Sequence, residues 1–73
     1  MIIEVRGIVV DRPDAVKRVT IFSRQDTVSR YKELVWPVGK PLNKGTIQVE
    51  VAKQWKVDPG EVVILENVEV PKI

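Results

Sequence analysis

Residues 45–70 read GTIQVEVAKQWKVDPGEVVILENVEV, and how this stretch folds decides the architecture of the chain. Ile47, Val49 and Val51 alternate with Thr46, Gln48 and Glu50, a period of two that suits a half-buried strand. Asp58-Pro59-Gly60 then supplies turn chemistry, because proline presets φ and glycine accepts a positive φ. Val62-Val63-Ile64-Leu65 is too apolar for a strand with one wet face and is expected to be central or barrel-closing. Glu66, Asn67 and Glu69 return the pattern to alternation. The expectation is a pair of strands that form scaffold, with function on what surrounds them.

The rest of the chain points the same way. Residues 2–10 read as a first strand, with Ile3, Val5 and Val9 on one face and Glu4 and Arg6 on the other. Gly7 interrupts it and marks a bulge or a sharp bend. Asp11-Arg12-Pro13-Asp14 reads as a turn. Residues 16–24 form a second strand. Val19 and Ile21 point one way, and Arg18, Thr20, Phe22 and Arg24 the other. Gln25-Asp26 can make a tight turn into a third strand over residues 27–36. There the alternation leaves two faces open: Val28, Arg30, Lys32, Leu34 and Trp36, or Ser29, Tyr31, Glu33 and Val35. Residues 37–45, with two prolines and two glycines, read as a connector too short for a useful helix.

Composition agrees with an all-β domain. Valine and isoleucine supply 22 of 73 residues, alanine and leucine five, and β-branched side chains favour extended backbone. A chain this small buries only about 60% of its unfolded surface. No disulfide can help, since there is no cysteine, and the absence of histidine removes most zinc chemistry and the usual general base. Closure into a barrel or pairing with a second copy would be the remaining aids. Five strands at roughly 8–14-residue intervals, little or no helix, and one domain over residues 1–73 are expected. No apolar run approaches the length of a membrane span, and the start of the chain has no leader character. A cytoplasmic protein is expected, and the low Asn, Gln, Met and Cys content beside many Lys, Glu, Val and Ile hints at a thermophile.

Net charge is +2, but unevenly spread: residues 1–45 hold nine Lys or Arg against five acids, and residues 46–73 hold three against five. A basic face is one reading and ordinary surface solubility the other. The carboxylate pairs Asp11/Asp14 and Glu66/Glu69 sit where turns and exposed faces ordinarily carry acids, and Ser23 and Ser29 have no histidine to activate them. No catalytic residue, metal ligand or cofactor is expected. Single-stranded nucleic acid, by contrast, needs cations for phosphates and flat rings for bases. Arg18, Phe22, Arg24, Arg30 and Lys32 offer both on neighbouring strands, and Trp55 lies between Lys53 and Lys56 in what reads as a loop. The competing readings are core packing for Phe22 and a lid over one barrel end for Trp55. Trp36 reads as core or a barrel plug, and Tyr31 is left undecided.

Gly45-Thr46-Ile47 and the run from Gly60 to Val70 resemble the back half of an OB-fold, most closely the single-stranded-DNA-binding domains of the archaeal and replication protein A type. The resemblance implies a five-stranded Greek-key barrel whose ligand crosses strands two and three. By position it implies a ligand face of Arg18, Phe22, Arg24, Arg30 and Lys32, with Arg12 and Trp55 on flanking loops. Two features depart from the family: Ala52 stands where an aromatic residue is usual, and the helix between strands three and four is absent or reduced to residues 37–44. The resulting expectation is a binder of single-stranded DNA or RNA, DNA favoured, with little sequence preference and without a membrane. A protein–protein module, with a protein partner or a second copy, is the alternative. An SH3-like barrel binding duplex DNA is a third reading.

Overall fold

The computed structural model describes residues 2–12 and 16–71. Pro13 and Asp14 of the expected first turn lie outside them, as does the Asp14 half of one carboxylate pair. The elements are β1 (Ile3–Asp11), β2 (Arg18–Gln25), β3 (Val28–Val35), α1 (Lys44–Trp55), a single 3₁₀ turn (Pro59–Glu61) and β4 (Val62–Ile64). The strands form one sheet in the order β3-β2-β1-β4. The two β1–β2 and β2–β3 pairings are antiparallel, and β4 runs parallel to β1. The chain leaves the β3 edge, crosses one face of the sheet through α1, and returns at the opposite edge. The sheet is therefore open, with one face under the helix and the other in solvent.

The decisive correction is α1. Residues 46–52, expected as a strand, are helical, so the five-stranded all-β barrel with little or no helix gives way to four strands and a 12-residue helix. Period two had a double meaning here. Ile47, Val51 and Trp55 are also spaced four apart, which puts them on one helical face. Burial decides between the two. Ile47 and Val51 are fully buried, Ala52 nearly so, and Val49, which a strand would have buried with them, is 39% exposed. Asn43 starts the helix. Its side chain accepts the Thr46 N–H at 3.0 Å while the Thr46 hydroxyl accepts the Asn43 N–H at 3.0 Å, a reciprocal capping box. Lys56 ends it in the left-handed region at φ +56°, with the Val57 N–H closing on the Ala52 carbonyl at 3.0 Å. Asn43→Ala is expected to lower stability by about 1 kcal/mol in urea unfolding; an unchanged midpoint would mean the cap contributes nothing.

The first three strands follow the sequence more closely. The ladder between β1 and β2 shifts register between Val5 and Gly7, so Arg6 is the extra residue of a bulge next to the interrupting glycine. The bulge also corrects the expected faces. Beyond it Ile8 and Val10 pack on the core, and Val9, expected beside Ile3 and Val5, is 54% exposed. On β2, Val19, Ile21 and Ser23 are buried while Phe22 is exposed, as its alternation requires. The β2–β3 turn places Asp26 at φ +52°, as tight hairpins demand. Asp58–Gly60 turns as expected, with the Glu61 N–H on the Asp58 carbonyl at 2.9 Å. The positive glycine φ occurs instead at Gly39, +83°, where Pro37–Lys40 makes a turn. Val62–Ile64 is an edge strand rather than a central one: Val62 is buried but Val63 is exposed. The core is Ile3, Val5, Val19, Ile21, Trp36, Ile47, Val51, Ala52 and Val62, between helix and sheet. Trp36 is core, as its sequence position indicated. Its indole N–H donates to the Lys40 carbonyl at 3.0 Å.

Candidate functional site

The uncovered face of the sheet is built by strand parity. Cross-strand pairing sets Phe22 opposite Tyr31, Arg24 opposite Ser29 and Arg18 opposite Val35. Directly opposed residues project to the same side, so Arg18, Phe22, Arg24 and Tyr31 share the open face. Phe22 and Tyr31 are 42% and 66% exposed, with ring centroids 6.4 Å apart and planes tilted by 41°. On the other side Phe22 faces Gly7 of β1, where a Cβ would stand 3.6 Å from its Cδ2. The glycine thus leaves one flank of the ring without a neighbouring side chain. The Arg24 guanidinium donates to the Asp26 carbonyl, which holds it beside the hairpin turn. A shallow groove of about 590 Å³, lined by Ile2, Glu4, Gln25 and Asp26, adjoins that end.

The remaining expected site residues gather elsewhere. Arg30 and Lys32 project to the helix side of β3, because they pair with buried Ser23 and Ile21. Arg30 stacks on the Trp55 ring, 4.4 Å from its centroid. Trp55 is not in a loop. It is the last residue of α1, partly buried against the core, and its indole N–H donates to the Ser23 hydroxyl at 2.7 Å. One of its ring faces is covered by a guanidinium and its polar atom is engaged in the fold. Lys32 and Lys40 each reach the Glu50 carboxylate at 3.0 Å, and Lys53 approaches it at 3.8 Å. Burial of Glu50 pushes its carboxyl up, but the hydrogen bonds and charges of Lys40 and Lys32 outweigh that and lower its pKa to about 2. Lys56 is exposed at the helix end, and Arg12 is exposed just beyond β1.

Thus Arg18, Phe22 and Arg24 are brought together, and Arg30, Lys32, Lys53 and Trp55 form a second group on the other face; Arg12 follows Asp11, the β1 partner of Arg18. The structure adds Tyr31 to the first group. The expected turn at Gln25-Asp26 would set Phe22 opposite Ser29; the turn lies instead at Asp26-Thr27, which pairs Gln25 with Val28 and so puts Tyr31 opposite Phe22. Lys40 and Glu50 join the second group, and nothing local announces them, since their meeting requires α1. Among the described residues no cluster of three or more carboxylate side chains could hold a metal ion. No helix of the described residues is long and apolar enough to cross a membrane. Compared with protein-family models, curated proteins and solved structures, the chain matches none.

Proposed function

We propose that this domain binds single-stranded nucleic acid on the open face of its sheet, with little sequence preference and without catalysing a reaction. The observation that carries the reading is the pair of exposed rings, Phe22 and Tyr31, side by side on neighbouring strands with Arg18 and Arg24 on the same face. Stacking accepts any base, because every base has a π-face, and each stacked base contributes about 1–3 kcal/mol. The arginines neutralise phosphates. The reading does not need a closed barrel: a flat antiparallel face with two rings provides the platform, and the segment resembling strand four of an OB-fold is helical here. DNA is preferred to RNA on the strength of that resemblance alone, and a cytoplasmic location goes with the reading.

A specific observation favours a second reading. Val9, Val35 and Val63 are 54%, 62% and 42% exposed. Val35 pairs with Arg18 and Val9 with Thr20, so these two share the open face. Such a face also suits a protein partner or a second copy of the chain.

The test is anisotropy of a labelled single-stranded oligonucleotide at several salt concentrations. Tryptophan emission would report the wrong side, since Trp36 is buried and Trp55 lies under Arg30. Saturable binding is expected, weakening with salt. Arg18→Gln and Arg24→Gln should each flatten the log–log salt dependence by about 0.7, the value for one phosphate on a single strand. No saturation at low salt with DNA or RNA would overturn the reading and favour the protein-partner alternative.

A further inference from the structure

The lysines around Glu50 are not explained by fold stability alone. Three ammonium groups, of Lys32, Lys40 and Lys53, converge on a single carboxylate. Three positive charges against one leave a local excess of +2, and Arg30, two residues from Lys32 on the same face of β3, makes it +3. A single ammonium group already neutralises the charge of one carboxylate. Exposure is graded outward: the Glu50 side chain is 9% exposed, Lys32 28%, Lys40 31% and Lys53 66%. The carboxylate is therefore the floor and the ammonium groups are the rim. Lys40 is further fixed by lying over the Trp36 ring, 4.6 Å from its centroid, and Arg30 by lying over Trp55. Cations held in place by a buried counter-ion and by aromatic rings lose little side-chain freedom when an anion arrives.

The position of this cluster gives it a meaning. Edge strand β3 carries Tyr31 on the open face, while Arg30 and Lys32, its sequence neighbours, project to the other. The Tyr31 carbonyl accepts from the Gln54 side chain at 2.9 Å, which ties the end of α1 to that edge. We infer that the Lys32–Lys40–Lys53–Arg30 rim is a second phosphodiester-binding subsite, reached by a strand that leaves the stacking face across the β3 edge. The inference rests on the proposed function for the identity of its ligand, but its chemistry is distinct: it reads phosphate and no base.

A labelled oligomer of abasic deoxyribose phosphates, about ten units long to match the usual span of single-strand sites, separates the two. At low salt the abasic oligomer is expected to bind wild type. Lys53→Glu, at the most exposed lysine, should weaken it at least several-fold, and so should Arg30→Gln, whereas Phe22→Ala and Tyr31→Ala should leave it unchanged. A lysine-dependent abasic interaction to which bases add nothing would support the subsite and remove the stacking face instead. Absence of abasic binding, or equal binding by wild type, Lys53→Glu and Arg30→Gln, would overturn the subsite. An ordinary oligonucleotide that binds through Phe22 and Tyr31 but ignores both charge changes would also overturn it, while leaving the stacking face intact.

Discussion

Glu50→Ala should lower the stability of this domain by about 2–3 kcal/mol, a fall of roughly 13–20 °C in Tm for a chain of this size. Removing the carboxylate leaves Lys32 and Lys40 partly buried beside one another with no counter-charge. Loss of one partner of a buried pair ordinarily costs about 3–5 kcal/mol; the lower figure allows for two lysines that are about a third exposed and can turn to water. Glu66→Ala, at an exposed position, should stay within about 0.5 kcal/mol. The comparison also tests the secondary structure. In a strand with Thr46, Gln48 and Glu50 on its wet face, Glu50→Ala would be as mild as Glu66→Ala, so equal unfolding midpoints would refute the helix. A pH dependence follows from the same geometry. The Glu50 pKa is lowered from 4.5 to about 2 on folding, so its contribution is fully present above about pH 4.5 and is lost as the pH falls toward 2. After allowance for solvent screening of the lysines, that contribution is about 2 kcal/mol. Glu50→Gln should flatten this acid limb of the stability profile, and a profile as steep as that of wild type would show that Glu50 is not its source.

Phe22→Ala combined with Tyr31→Ala should weaken single-strand binding by about 30–25,000-fold, from two stacking contacts of roughly 1–3 kcal/mol each. Folding should survive, because Phe22 and Tyr31 are exposed and neither belongs to the buried core. Unchanged affinity in a folded double variant would remove the open face as the site. Trp55→Ala is the instructive contrast. A loop tryptophan would be expendable to the fold, but this one packs against the core and donates to buried Ser23. Its loss should destabilise the domain by about 2–3 kcal/mol, combining lost apolar burial with an unsatisfied hydroxyl. Thermal unfolding followed by circular dichroism distinguishes the two variants directly.

Much of the sheet was legible residue by residue. The alternation of β2 correctly put Val19 and Ile21 inward and Phe22 outward, and Gly7 correctly marked the bulge in β1. Period two alone misplaces Val9, because a single extra residue inverts every side chain beyond it. Three of the four open-face residues, Arg18, Phe22 and Arg24, could be read from that same parity. Arg30 and Lys32 could not, because β3 alternates without a clear apolar side and its faces are settled only by what β2 buries opposite them. Trp55 reads as a loop residue only while the segment before it reads as a strand.

The amino-acid sequence by itself determined the strands joined by short turns, since period-two patterning, β-branched residues and turn chemistry act over a few neighbouring positions. It also determined the aromatic–arginine face of β2. Tertiary structure alone decided the state of residues 44–55. Ile47, Val49 and Val51 are compatible with either backbone, and helix propensity differences of a few tenths of a kcal/mol per residue are small beside the burial of Ile47 and Val51 against the sheet, worth about 1.5–3 kcal/mol each. The same docking brought Lys32, Lys40 and Lys53 around Glu50, a convergence of charges from three segments of the chain that no local pattern encodes.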